Sequence, residues 1–522
     1  MVVFAILGVL FMLLLCYTSN CKEWKMLDTS AFGKNDIRGI YGENVTEEVF
    51  YYTGRGFVQY LVKESRRTPA EIWITVCRDA RLHSPALSKS LIEGIRSCGA
   101  NVVDMGLAPT PIGYYSEAAG LPPQVTKYLP VTGALIITAS HNPSQYNGLK
   151  MTYAKQTLGE SQIKVVKELT EEEYKLQIPP VPFGQLVEYD LIPDYINEMK
   201  KHFGLIGQGI KVVVDSANGT GGVVGPKLYR ALGCEVIELY STPDGRFPHH
   251  HPNPSDEKTL NDIKKAVVAN KADIGIAFDG DSDRIGVIDS DGNSMTGDKL
   301  LLIYSENIIK EYNKKGIKPV IVSEVKCSQV LYDTINANGG IAVMCKTGHG
   351  YIKAKMRETG AVLAGEMSGH TFFKDTYYGF DDAVYAGCRI IEIIAEKKRQ
   401  NPEFKISDML KPFEAVCSSQ EVRLACPNSL KTQTLESFQA VIAENPNFFG
   451  REIEDIITID GMRIVFKNGG GFALIRQSNT EPVFTLRFEA DSKEYAQQYE
   501  DLMVNKLLEI IKNASKNLAG AV

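Results

Sequence analysis

Ile274-Gly-Ile-Ala-Phe278, running straight into Asp279-Gly280-Asp281-Ser282-Asp283-Arg284, is the stretch on which the fold turns. A short apolar run bounded by a turn reads as a strand buried on both faces. Gly280 allows the chain to fold back tightly, and three carboxylates follow at alternate positions. The same grammar recurs elsewhere. Ile72–Cys77 runs into Arg78-Asp79, then into Ser84-Pro85 as a helix cap and first helical residue. Leu87, Leu91, Ile92 and Ile95 follow at helical spacing, and Gly99 is the stop. Ile210–Val214 runs into Asp215-Ser-Ala-Asn-Gly before a helical stretch near Lys227–Leu232, and Val320–Val322 runs into Ser323-Glu324-Val325-Lys326. Buried strands alternating with helices predict α/β layers, with ligands bound past the strand ends.

The 522 residues exceed one ordinary core. Pro179–Pro182, the loop Asp289–Gly297 and Lys411-Pro412 mark boundaries. They predict three α/β domains, 26–186, 187–294 and 295–411, and a C-terminal α+β domain, 412–522. Thr170–Tyr174 reads as a solvated helix face. With Lys+Arg 57 against Asp+Glu 63, the chain carries a net charge of -6 and lacks the basic footprint of a nucleic-acid binder. An anionic ligand must therefore meet local cations. Ten scattered cysteines without a C-x-x-C pair read as reduced core residues. Val2–Cys16 is apolar but shorter than the roughly 20 residues of a membrane span. For residues 1–25 a cleaved targeting peptide, a short anchor and an unused start before Met26 all stay open, and membrane contact is expected only through residues 2–16.

Four loops carry chemistry. Ala134–Thr138 discharges into Ala139-Ser140-His141-Asn142-Pro143, where a serine at a strand end suits a covalent phosphoryl acceptor or a simple Ser turn. The G-x-S-x-G of a serine hydrolase is absent there. Asp279, Asp281 and Asp283 can converge on one hard cation such as Mg²⁺, since clustered carboxylates repel without one. An EF-hand is excluded, because its sixth and twelfth positions would be Arg284 and Ser290. Gly365-Glu366-Met367-Ser368-Gly369-His370 offers acceptors and a donor for sugar hydroxyls. After Phe472–Ile475, Arg476-Gln477-Ser478-Asn479-Thr480 has the composition of a phosphate cradle, and Lys346-Thr347-Gly348-His349 adds a cation and an imidazole. Each of these loops also fits an ordinary capped turn. Two features read as decoys. His249-His250-His251 is too crowded to face one ion, and the sequon at Asn218 follows a buried strand.

Taken in order, TASHNP (Thr138–Pro143), DGDSDR (Asp279–Arg284), GEMSGH (Gly365–His370) and RQSNTEP (Arg476–Pro482) resemble the α-D-phosphohexomutase family, in its bacterial-type phosphomannomutase/phosphoglucomutase branch. DIRG at Asp36–Gly39 and KTGH at Lys346–His349 add to the resemblance, which runs from Phe32 to about Asp491. It implies four domains around a central cleft, three similar α/β domains with mixed sheets and a C-terminal α+β domain. It implies a hexose 1-phosphate/6-phosphate mutase working through a phosphoserine at Ser140 and a hexose 1,6-bisphosphate, which also serves as activator. Mg²⁺ would be held by Ser140, Asp279, Asp281 and Asp283. Arg284, Lys326, Glu366, Ser368, His370, Arg476, Ser478, Asn479 and Thr480 would bind the phosphosugar, with Glu366 and Ser368 on the 3- and 4-hydroxyls. Lys150, His349 and Arg38 are candidates for proton transfer or charge stabilisation.

Asn35, where an aromatic residue often precedes DIRG, Ser282 in place of Gly, and Asn479 in place of Gly depart from the family pattern. Export would separate such an enzyme from cytosolic sugar phosphates, so the catalytic body is expected in the cytoplasm or an organelle stroma. A glucosamine-phosphate mutase, a bisphosphate synthase and a silent scaffold remain as alternatives; retention of Ser140 with all three aspartates argues against the last.

Overall fold

The computed structural model describes residues 26–478 and 481–519, with backbone only for 517–519. The N-terminal segment 1–25 and the expected phosphate ligands Asn479 and Thr480 lie outside the described residues. Four sheets follow one another along the chain. The first holds β1 (Ile37–Ile40), β2 (Trp73–Arg78), β3 (Asn101–Leu107), β4 (Gly133–Ile137), β5 (Tyr146–Tyr153), β6 (Gln156–Thr157) and β7 (Leu186–Glu188), in the order β1-β5-β4-β2-β3-β7 with β6 on β5. The second holds β8 (Lys211–Asp215), β9 (Glu235–Leu239), β10 (Ile274–Phe278), β11 (Ile285–Asp289) and β12 (Ser294–Met295), ordered β12-β11-β10-β8-β9. The third, β14-β13-β15-β16, uses β13 (Val320–Glu324), β14 (Ile341–Cys345), β15 (Leu363–Gly365) and β16 (Thr371–Phe373). The fourth is antiparallel throughout: β17 (Cys417–Ser418), β18 (Val422–Ala425), β19 (Ile453–Ile457), β20 (Met462–Phe466), β21 (Phe472–Gln477) and β22 (Val483–Ala490).

The first three sheets share one device. A parallel strand is followed by an antiparallel neighbour, and the connection between them is the motif loop: β4 to β5, β10 to β11, β15 to β16. In the fourth, β21 returns as β22 in the same way. The expected architecture, three mixed α/β sheets and a C-terminal sheet with helices, is the one observed.

The largest apolar cluster crosses domain boundaries. It runs from Trp73 and Ile136 through Val212, Tyr229 and Phe278 to Tyr304, Ile321 and Tyr385. Helix Ala383–Gln400 follows the third sheet in sequence yet packs on the second, where a Cβ on Gly387 would stand 1.8 Å from Tyr229 Oη. Only glycine admits that approach, at a helix-propensity cost of about 1 kcal/mol. The outer helices of the first sheet and the fourth domain have their own clusters, around Phe57 and Leu91 and around Phe438 and Tyr499.

Several local readings shift. Helix Glu160–Leu176 contains Thr170–Tyr174, but Thr170 and Glu173 are buried, not solvated. Arg55 Nε donates to Glu173 Oε2 at 2.8 Å, and Gly56 lets Thr170 come close. An ion pair has drawn that face inward. Ser84 sits inside helix Ser84–Ser97 behind His83, because its hydroxyl donates to Asp79 Oδ1 instead of capping. Strand β21 extends through Gln477, so Arg476 is a buried strand residue. Lys411-Pro412 falls within a 3-10 helix, Ile406–Ala415. The eight described cysteines are free thiols, most of them buried, and Asp289 with Gly292 forms the expected β11–β12 turn.

The fourth domain is clamped to the third by buried arginines. Arg463 Nη1 donates to the carbonyls of Val325 and Cys327 (2.9 Å for the latter), Nη2 donates to Gln329, and its guanidinium lies 3.5 Å from the Phe472 ring centroid. Arg463→Ala would leave those acceptors without a donor and weaken docking by about 2–4 kcal/mol. Hydrogen exchange should then rise in β20, β21 and Val325–Gln329 with the first two sheets unchanged. Unaltered exchange in those segments would refute the clamp.

Candidate active site

Past β4 the chain enters the serine loop, and Ser140 takes a left-handed φ of 48°. For a residue with a side chain this costs roughly 1–2 kcal/mol, so something must impose it. Thr138 Oγ1 accepts from Ser140 N at 2.9 Å. The fully buried Arg81 donates to the carbonyls of Ser140 (3.0 Å), Asn142 (2.6 Å), Pro143 (2.6 Å) and Tyr146 (3.0 Å), while its Nε pairs with Asp79. Thus oriented, Ser140 Oγ donates to Asp279 Oδ2 at 2.6 Å, with His141 Nδ1 3.1 Å away. Burial, then Arg284 and Arg38, hold the His141 imidazole well below the usual range.

The aspartate loop lies directly beneath. A Cβ on Gly280 would stand 2.5 Å from the Ser140 carbonyl oxygen, so a glycine there lets the loops touch. Ser282 has a φ of 62°, the conformation a glycine would accept more readily. Asp279, Asp281 and Asp283 are buried, with one ligand oxygen of each within 4.8 Å of the others. Lys150, reaching from β5, pairs with Asp281 Oδ2 at 2.8 Å and with Asp283 Oδ2, and Thr110 Oγ1 donates to Asp281 Oδ2 at 2.6 Å. Against burial, Asp281 and Asp283 hold the Lys150 ammonium well above its usual pKa. Asp279 is pushed well up by burial and by its two neighbouring carboxylates. Oδ1 of Asp281 and of Asp283 finds no hydrogen-bond partner among the described residues, although His370 Nε2 lies 3.3 Å from the latter. Buried, orphaned carboxylate oxygens on one turn are the donor set a hard divalent cation takes. The residues fit the ion.

The third-domain loop closes over this pair. Gly369, at φ 93°, abuts the Ile285 carbonyl of β11, and Arg284 bridges to His370 across the gap. Glu366 accepts from Gly348 N (2.9 Å) and Ser368 Oγ (2.9 Å) and lies 3.0 Å from His370 Nδ1. Against burial, His370 draws Glu366 down to about 2; the carboxylates of Asp283 and Glu366 carry His370 up to about 9. His349 stacks on His370 with centroids 5.6 Å apart and is pushed down to about 4 by burial and Lys353. Arg38 donates to Asn142 Oδ1 at 2.8 Å and pairs with Asp36. Lys326 pairs with Glu421 at 3.1 Å; against burial, Glu324 and Glu421 hold its pKa up, with the Arg476 charge opposing them. Arg476 Nε donates to Asp460 Oδ2 at 3.0 Å. Ser478 continues the strand pairing through its N–H to Val483 O at 3.1 Å.

Ser140, Lys150, Asp279, Asp281, Asp283, Arg284, Glu366, Ser368 and His370 thus form one contact network, with Arg38 and His349 at its edge. Lys326 and Arg476 stand together as a second group. Sequence reading missed Arg81, Thr110, Lys353 and Asp381. Lys353 Nζ lies 2.6 Å from Asp381 Oδ1 and donates to Thr157 at 3.0 Å, joining third domain to first. Its place one helical turn after His349 was a usable signal; nothing local marked Asp381 or Thr110. The histidine run divides among separate partners, His249 with Asn218 and His250 with Asp215. Asn218 is itself buried.

Known proteins resemble this chain along most of its length. The profiles described as phosphoglucomutase/phosphomannomutase alpha/beta/alpha domains I, II and III match residues 29–177, 193–292 and 296–413, and that of the C-terminal domain matches 421–506. The chain belongs to the phosphoglucomutase/phosphomannomutase family. It is 36% identical over 481 residues to a phosphomannomutase/phosphoglucomutase of Pseudomonas aeruginosa, covering 92% of this chain and 96% of that relative. A Neisseria meningitidis phosphoglucomutase is 36% identical over 465 residues, covering 88% and 93%. The crystal structure of a phosphoglucomutase/phosphomannomutase family protein from Burkholderia thailandensis superposes with a TM-score of 0.80 at 35% identity, covering 93% of this chain and 98% of that one.

Lys150→Met would leave buried carboxylates without their built-in cation, a loss of about 3–5 kcal/mol. Thermal melts in chelator should show it, and Mg²⁺ should raise the variant's melting temperature more than that of the wild type. No Mg²⁺ effect on either protein would remove the aspartate loop as a metal site.

Proposed function

We propose that this chain interconverts hexose 1-phosphates and hexose 6-phosphates, of glucose, mannose or both, through a phosphoserine at Ser140. The observation that carries the reading is Ser140 Oγ, 2.6 Å from Asp279 Oδ2, on a buried triad with orphaned oxygens. The four units expected along the chain, with β7 carried over to the first and the helix Ile406–Ala415 kept with the third, each contribute one of the four ordered motifs. A Mg²⁺ held by Asp279, Asp281, Asp283 and the Ser140 oxygen would neutralise charge on the phosphoryl oxygens. In the first half of the cycle a sugar hydroxyl attacks phosphorus, the P–O bond to Ser140 breaks, and a hexose 1,6-bisphosphate results. After the bisphosphate turns round, Ser140 Oγ attacks its other phosphate, the P–O bond to that sugar oxygen breaks, the isomeric hexose monophosphate leaves and the phosphoserine is restored. The same bisphosphate would prime unphosphorylated enzyme. Lys150 and Arg284 stabilise charge on the transferring group, and Arg38 lies beside its loop. The stacked imidazoles of His349 and His370 are our candidates to carry the proton of the attacking hydroxyl.

Glu366 and Ser368 hold the 3- and 4-hydroxyls, which glucose and mannose share, so a site blind to the 2-position accepts both. Lys326, Arg476 and Ser478, with Asn479 and Thr480, take the non-reacting phosphate. We place this activity where hexose phosphates are kept, in the cytoplasm or an organelle stroma. Among the described residues no helix is long and apolar enough to cross a membrane.

A coupled assay should detect turnover of glucose 1-phosphate or mannose 1-phosphate with Mg²⁺ and a trace of bisphosphate. Ser140→Ala should lower kcat by roughly a thousandfold or more, as loss of a covalent intermediate does. Chelation should abolish turnover, and intact mass should show one phosphoryl group lost in the variant. Undiminished turnover by Ser140→Ala would overturn the phosphoserine route; folded wild type inert on both sugars would overturn the reaction.

A further inference from the structure

The structure assigns Asp460 the role of a positioning residue: its carboxylate aims the Arg476 guanidinium and ties it to the Lys346–His349 loop of the neighbouring domain. The inference rests on the reading of Arg476 as a phosphate ligand. Asp460 belongs to none of the motifs and occupies the turn between β19 and β20. Gly461 follows it at φ 85°, where a Cβ would stand 2.2 Å from the Ile475 carbonyl oxygen and 2.7 Å from Arg476 Cα. Without a side chain, the turn lies flat on the strand that carries the arginine.

That contact puts one oxygen to two uses. Asp460 Oδ2 accepts from Arg476 Nε at 3.0 Å and from the backbone N–H of Thr347, in the third domain, also at 3.0 Å. Arg476 Nη1 donates to Thr485 Oγ1 at 3.3 Å, so two of the three guanidinium nitrogens are held by protein. The pair has little water to compete with it, the side chains being 8% and 17% exposed. Thr347 Oγ1 in turn donates to Glu324 Oε2 at 2.8 Å, and Glu324 stands 3.9 Å from Lys326 Nζ. Arg476, Asp460, Thr347, Glu324 and Lys326 therefore form a chain that ends in a cation on each domain. Arg463 and Arg487 already fasten the body of the fourth domain to the third, Arg487 through Asp298. What Asp460 adds is direction: charge-assisted hydrogen bonds fix the plane in which a guanidinium meets an oxyanion.

The test compares full-length wild type with Arg476→Ala, Asp460→Ala and Asp460→Asn. Binding of inorganic phosphate by calorimetry needs no turnover, and KM and kcat for glucose 1-phosphate follow it. Asp460→Ala should raise the phosphate Kd and the KM about tenfold each, with kcat within about threefold, the loss expected of one charge-assisted bond. Asp460→Asn keeps an acceptor oxygen and should recover most of the affinity. A purely structural role would lower the melting temperature without moving Kd in the folded protein, and that result overturns the inference. So does tighter phosphate binding by Asp460→Ala, which would make the carboxylate a competitor. If Arg476→Ala itself leaves Kd and KM unchanged, the phosphate-loop reading fails and takes the inference with it. If Arg476→Ala weakens binding and Asp460→Ala does not, the inference alone fails.

Discussion

Mutual repulsion among three buried carboxylates organises the first two domains. Asp279, Asp281 and Asp283 stand on one turn at the end of β10, and their charges must be balanced from elsewhere. Lys150 does this from the first domain, and it sits on the strand that begins just after the serine loop. The cation that relieves the repulsion and the hydroxyl aimed at Asp279 are thus delivered by consecutive pieces of chain. Docking of the first domain on the second and assembly of the serine–aspartate site are one event. A divalent ion would strengthen that arrangement without having to create it, because the three carboxylates already offer oxygens within 4.8 Å of one another.

The topology explains why three unrelated-looking motifs meet and why the fourth is presented in the same manner. In each domain a strand reverses into its antiparallel neighbour, and the reversal is the functional loop. A reversal of this kind projects a few residues beyond the sheet edge while both flanking strands stay hydrogen-bonded, so the loop is short and held at both ends. Glycines at Gly280, Gly369 and Gly461 then permit contacts that any side chain would block. Loop chemistry and loop placement come from the same feature of the chain.

Much of this was legible before any coordinates. Apolar runs such as Ile274–Phe278 announced buried strands, and the ordered motifs announced a family with its site. What escaped has a common physical origin. Arg81, Thr110 and Asp381 act through contacts with residues far away in sequence, and no local spacing encodes such a pairing. Thr170 and Glu173 looked solvated because a buried ion pair with Arg55 is invisible from one partner alone. Mixed sheets were implied by the resemblance, but which strands return antiparallel could not be read from the apolar runs, because such a strand carries no mark of its direction. Arg476 was read as a loop residue for a related reason: polar composition masked a strand that continues through Gln477.

The apolar cluster that runs through the first three sheets bears on how this chain can be divided. Cutting between the second and third sheets would strip helix Ala383–Gln400 from Tyr229 and lay open the interior of both pieces. The segments that read as separate domains along the sequence are therefore a single cooperative body, and none of the three is a sound module for grafting or isolated expression. The C-terminal sheet, closed around its own Phe438 and Tyr499 cluster and joined to the third domain by arginine clamps and a small apolar patch of Val325, Phe472 and Leu474, is the part an engineer could exchange most readily as a unit.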